Sequence, residues 1–146
     1  MSDQDGGLRR VPVQRRFSDL DPLGHVNNVV FHDYLQEARV GLLQSLNLVR
    51  GSTFAQVVVK QELVHRKPLL YAPEPVTVEI WVDHIGNSSY TLGYRILDEI
   101  GDVAAEATTT MAVVDPDTGR PIRMQDDLRA LLESARFATP LPPPQT

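Results

Sequence analysis

Cysteine is absent from the 146 residues, which excludes disulfides, thiolate metal sites and a cysteine nucleophile. No apolar run approaches the roughly 20 residues needed to cross a bilayer, so no membrane partner is expected. The chain lacks a G-x-S-x-G elbow, a P-loop and a G-x-G-x-x-G turn, which removes the serine-hydrolase and common nucleotide-binding solutions. Its four histidines form no H-x-x-x-H or H-x-H pair, so no metal site is expected. Cations are outnumbered, 14 Lys and Arg against 19 Asp and Glu, and no basic block exceeds a triplet. That argues against a nucleic-acid partner. The opening MSDQDGG is acidic and polar and has no signal-peptide pattern, so a cytoplasmic protein is expected.

What the chain does contain is ordinary for one globular domain, with 42% hydrophobic and 23% charged residues. The polar, Gly-containing residues 1–9 are expected to be a disordered lead-in, residues 10–137 the domain, and the proline-rich 138–146 a disordered tail. The densest chemistry lies in Phe17-Ser-Asp-Leu-Asp-Pro-Leu-Gly-His-Val-Asn-Asn28. Two carboxylates, a histidine, two adjacent asparagines, a proline and a glycine fall within this one stretch. After it, Phe31, Tyr34, Leu35, Ala38, Leu42 and Leu46 recur with helical period. This predicts a helix from about Asn28 to Leu48, capped by Asn27 or Asn28. A polar loop therefore feeds a helix N-terminus, where unpaired N–H groups and the positive end of the dipole can stabilise an oxyanion.

The remainder reads as strand. Val11 to Phe17 forms a short first strand, demoted to an edge or a strand start by Pro12. Phe54 to Arg66 alternates, with Ala55, Val57, Val59 and Leu63 on one face. Val76, Val78, Ile80 and Val82 alternate in the next, and a turn at Gly86-Asn87 predicts a hairpin with Tyr90 to Asp98. Val103 to Val114 is the last strand, and a short helix over Gln125 to Ala135 follows. Hairpin connections imply an antiparallel sheet carrying one amphipathic helix, an α+β domain in two layers.

Asp19-Leu-Asp21-Pro-Leu-Gly24-His25-Val-Asn27-Asn28, with Phe31, Tyr34 and Glu37-Ala-Arg39, resembles the hotdog-fold acyl-CoA thioesterases of the 4-hydroxybenzoyl-CoA thioesterase type. The likeness extends more loosely over about residues 10–115. It implies a five-stranded antiparallel sheet wrapped around a long central helix, and a homodimer or homotetramer with its site between protomers. It implies hydrolysis of an acyl-CoA thioester, with coenzyme A entering as part of the substrate and no separate cofactor. The second acidic residue of the D-x-D-P-x-G pattern, here Asp21, is then the nucleophile or the general base. Either role needs a carboxylate beside a carbonyl polarised by fixed donors, and the N–H groups of Asn28 and Val29 are the expected donors. His25 and Asn27 are expected to orient water or the leaving group, or to brace the loop, with Asn28 acting through its backbone. Asp19 is read as a loop brace. Arg66-Lys67, or Arg120 with Arg123, are the cations available to coenzyme A phosphates. Two rivals stay open: a thioesterase acting on carrier-protein-linked acyl chains, and a non-catalytic acyl-CoA-binding hotdog module. His65 stands where the family often has an aromatic residue, and Leu69-Leu-Tyr71-Ala-Pro lacks the usual Gly-Asp, so the acyl group is not carried over.

Overall fold

The computed structural model describes residues 4–5, 7–46 and 55–137. Its strands are β1 (Gln4–Asp5), β2 (Leu8–Val13), β3 (Ala55–His65), β4 (Val76–Ile85), β5 (Ser89–Leu97) and β6 (Val103–Val114), and its helices are α1 (Val30–Ser45) and α2 (Asp126–Glu133). All six strands form one antiparallel sheet in the order β1-β2-β4-β5-β6-β3. The two-residue β1 is added to the five strands expected, because the supposed lead-in turns back on itself and buries Leu8. Backbone pairing and one apolar anchor suffice there, and composition registers neither. β2 ends at Val13 rather than Phe17. β1 reaches only Leu8 and Arg9, so Pro12 keeps the unpaired edge that a proline needs. The tail over 138–146 lies outside the described residues.

α1 is shorter than the long helix expected. It spans 16 residues, begins two residues later than Asn28 and is capped at Leu46; the expected end at Leu48 lies outside the described residues. Its stripe is nonetheless the predicted one. Phe31, Tyr34, Leu35, Ala38 and Leu42 are buried against Val78, Ile80 and Val82 of β4 and Tyr90, Leu92, Tyr94 and Ile96 of β5. Burying each large aliphatic or aromatic member is worth about 2 kcal/mol.

The expected face of β3 is broken by a bulge between Val58 and Lys60, where the register against β6 shifts by one residue. Val57 and Val59 are therefore exposed, while Gln56 meets the Tyr90 hydroxyl and Leu63 packs on the core. On the other sheet face the stretch around Trp81 is buried too. Trp81 lies over Gly93, its partner in register, and a Cβ on Gly93 would come within 2.5 Å of the indole. The Arg95 guanidinium sits 5.3 Å from the ring centroid and Phe137 meets the indole edge-on at 6.0 Å. Beside them buried Glu79 pairs with Arg10 at 3.2 Å and Arg95 at 2.9 Å.

Candidate active site

Asp21, Pro22, Leu23 and Gly24 form a tight turn closed by the Gly24 N–H donating to the Asp21 carbonyl at 3.0 Å. Gly24 has φ +81°, a left-handed conformation that costs glycine little. The Asp21 N–H then bonds the His25 carbonyl at 2.7 Å, and Leu20 bridges Val26. Within this turn Asp21 Oδ1 accepts from the N–H groups of Leu23 at 2.9 Å and His25 at 3.0 Å. One carboxylate oxygen is thus a brace, while Oδ2 has no hydrogen bond among the described residues. Asp21 is half-buried.

Asp19 is the anchor of the loop. It is buried and accepts from the Arg16 N–H at 3.0 Å, the Arg16 guanidinium at 2.9 Å and the Tyr34 hydroxyl at 2.7 Å. Burial alone would raise its pKa, but the Arg16 N–H, the Tyr34 hydroxyl and the Arg16 charge together hold it below the ordinary carboxylate value. The same burial, with the Asp19 charge, pushes the Tyr34 phenol upward. The Asp19 backbone carbonyl also receives the Asn27 N–H at 2.9 Å.

The helix entry differs in detail from the expected cap. Val29 occupies the formal N-cap, already in helical conformation, and Val30 bonds back to Asn27 in a tight i→i+3 turn. Asn27 still caps this turn, because its Oδ1 takes the Val29 N–H at 2.9 Å. That bond consumes one of the two N–H groups expected to hold an oxyanion. The Asn28 N–H has no partner among the described residues.

Opposite the loop stand the end of β3 and the segment after it. Asp21, His25 and Asn28 line one wall of a cleft of about 370 Å³, and His65, Arg66 and Lys67 line the other. Five of the six site residues expected from sequence are therefore brought together. Asn27 lies outside the cleft lining, holding the helix entry. The basic pair is already engaged. Arg66 Nη2 reaches Glu106 at 2.6 Å, and Lys67 reaches Asp98 at 2.7 Å and Asp102 at 3.2 Å. Those two carboxylates hold the Lys67 ammonium above its ordinary value. Little free charge is left on either cation for a phosphate. Arg120 and Arg123 are exposed, and Arg123 pairs loosely with Asp126 at 3.5 Å.

Two supports were not among the site residues expected from the sequence. His65 packs edge-on against Phe31, ring centroids 4.7 Å apart, and desolvation on that side, with nearby His32, lowers its pKa. Arg15 is buried and donates to the carbonyls of Leu70 at 2.9 Å and Glu74 at 2.7 Å, while pairing with Glu99 at 3.1 Å. It fixes the loop whose Leu70 bridges His25. The sequence signal for Arg15 was slight, a charged residue within the expected first strand. Among the described residues no group of three or more His, Cys, Asp or Glu side chains could hold a metal ion. No helix among them is long and apolar enough to cross a membrane.

A carboxylate with one free oxygen, an unpaired N–H at a helix entry and an imidazole around one cleft is an arrangement suited to attack on a polarised carbonyl. The family model of the thioesterase-like superfamily matches residues 15–132. The chain belongs to that superfamily, a class of thioester hydrolases. It is 29% identical over 125 residues to the long-chain acyl-CoA thioesterase FadM of Escherichia coli, covering 83% of this chain and 94% of that one. A Thermus thermophilus thioesterase solved in complex with coenzyme A and Zn superposes with a TM-score of 0.77 at 30% identity, over 90% of this chain and 97% of that one. The 12:0-ACP thioesterase of Umbellularia californica matches with a TM-score of 0.81 over 93% of this chain and 56% of that one; at 16% identity the likeness is of fold alone. The sheet-and-helix domain is thus the hotdog type of thioesterase fold.

Proposed function

We propose that the protein hydrolyses an acyl-CoA thioester to the free acid and coenzyme A. The observation that carries this reading is the convergence of Asp21, His25 and Asn28 on one cleft. Asp21 Oδ2 either attacks the thioester carbonyl or removes a proton from the water that does. The C–S bond then breaks and coenzyme A leaves as its thiol; on the direct-attack route water then hydrolyses the acyl–Asp21 anhydride, which releases the free acid and restores the carboxylate. The Asn28 N–H, beside the positive end of α1, is the donor available to the developing oxyanion. Asn27 serves by holding that helix entry rather than by touching substrate, and His25 orients the water or protonates the leaving sulfur. No metal or prosthetic group is required by this chemistry. Arg66 and Lys67 would reach a coenzyme A phosphate only by sharing donors with Glu106, Asp98 and Asp102.

We place this reaction in the cytoplasm, in a homodimer or homotetramer. The 11-residue β3 lies at the sheet edge with one neighbour, β6, and exposes Val57, Val58, Val59 and Val64. A second copy would cover such an edge. The test is to incubate the purified protein with acyl-CoAs of several chain lengths and a thiol reagent. With no cysteine in the chain, free coenzyme A is the only thiol signal. Release of thiol is expected; tight acyl-CoA binding with none released would instead make this a binding module.

A further inference from the structure

Arg15 lies outside the cleft lining, yet it joins loops that build the cleft. The residue is 2% exposed. Its Nη1 donates to the Leu70 carbonyl at 2.9 Å and its Nη2 to the Glu74 carbonyl at 2.7 Å, while Nη2 also meets Glu99 Oε2 at 3.1 Å. Neighbouring Gln14 donates to the Pro73 carbonyl at 2.8 Å. Two consecutive residues thus hold three carbonyls of one irregular loop. That loop backs the Asp21 turn. The Leu69 carbonyl takes the Val26 N–H at 2.7 Å, and Leu70 bridges His25. The His25 N–H in turn donates to Asp21 Oδ1 at 3.0 Å. A path of contacts therefore leads from the guanidinium through Leu70 and His25 to the carboxylate. On its other side Glu99 adjoins Asp98, and Asp98 with Asp102 holds Lys67 of the facing cleft wall. One planar guanidinium serves three oxygens on two separate segments, which the single nitrogen of a lysine cannot span. Stability alone does not account for a charge here. Burying a guanidinium is costly, its Nε is buried with no hydrogen bond among the described residues, and an apolar side chain of similar volume often packs as well. What the fork adds is a fixed place for the Leu70 and Glu74 carbonyls.

We propose that Arg15 is a positioning residue for the reaction: it sets the Asp21 carboxylate through Leu70 and His25. The inference rests on the thioesterase reading for the reaction but not for the path. A reacting group displaced by about 1 Å from a distance can lose about 10²-fold in rate. The loss falls on kcat, because Arg15 touches no substrate and the groups that bind it stay in place.

Arg15→Met keeps much of the bulk and removes the fork. On the acyl-CoA that the wild type hydrolyses fastest, its kcat is expected to fall about 10–100-fold with KM within about twofold. Made in an Asp21→Asn background, the same substitution should cost nothing further, because Arg15 acts through Asp21. Wild-type kcat in a folded Arg15→Met protein, or a loss that multiplies that of Asp21→Asn, overturns the proposal. Arg15→Lys carries the test if the Met variant does not fold: it keeps the charge without the fork, its kcat should still fall at least about fivefold, and a wild-type kcat overturns the proposal. Failure of both variants to fold makes Arg15 a folding residue and overturns it too. Hydrogen exchange at the His25 amide reads the path without turnover. Relative to the Tyr94 amide of β5, that proton should exchange at least about tenfold faster in the variant that folds, and an unchanged ratio overturns the proposal. A wild type that hydrolyses no acyl-CoA, with a His25 amide that still responds, would sink the thioesterase reading and leave Arg15 setting the turn; hydrolysis untouched by the loss of the fork would sink the role of Arg15 alone.

Discussion

The hydroxyl of Tyr34 in α1 donates to the buried carboxylate of Asp19 at 2.7 Å, and so ties the polar loop to the helix it precedes. Through that bond the position of the Asp21 turn is set by the core rather than by the loop alone. Asp19 is held below the ordinary carboxylate value, against burial, by the Arg16 N–H, Tyr34 and Arg16. A depressed folded-state pKa gives stability that is present above the unfolded value and lost as pH falls through the folded one. Asp19→Asn should therefore cost about 2 kcal/mol at neutral pH, and the cost should shrink below the ordinary carboxylate range. Thermal melting at neutral and acid pH checks both the size and the sign.

Asp21→Asn keeps a side-chain oxygen for the Leu23 and His25 N–H groups while removing the charge. The expected result is a fall in kcat of about 10²–10⁴ with the fold and substrate affinity retained. Asp19→Asn should act through stability instead. Wild-type kcat in a well-folded Asp21→Asn protein would move the chemistry to another residue of the cleft.

Gly93→Ala places a methyl group against the Trp81 indole, whose other neighbours include Arg95 and Phe137. Overpacking of this kind should destabilise the protein by about 1–3 kcal/mol. Trp81 is the single tryptophan, so its emission should shift in the same variant. An unchanged melting temperature and spectrum would show that the indole has room to move.

The exposed β3 edge leads to an expected oligomer at micromolar concentration by light scattering. A monomeric mass would mean that the edge is left bare.

Chelator treatment should leave thioester hydrolysis unchanged, since no metal-binding cluster exists among the described residues. Loss of rate with rescue by a divalent ion would reverse this.

Local features were legible in the sequence for a physical reason. The Asp21–Gly24 turn, the apolar stripe of α1 and the alternation of β4 and β5 each depend on residues near one another in the chain, through turn chemistry and the helical and strand periods. The strand order could be narrowed by hairpin signals, and the acidic loop could be placed at a helix entry. What tertiary structure alone decided is how distant side chains share partners. The bulge in β3 answers to its pairing with β6, and puts Gln61 where Thr109 and His32 can reach it. Arg66 and Lys67 look like free cations in the sequence, yet Glu106, Asp98 and Asp102 claim them from 31 to 40 residues away. His32 falls on the helix face that the sequence marks as polar, and only the tertiary structure brings its Nδ1 within 2.7 Å of the Gln61 amide. Periodicity records which way a side chain faces; the bond it makes there depends on a register that no local stretch encodes.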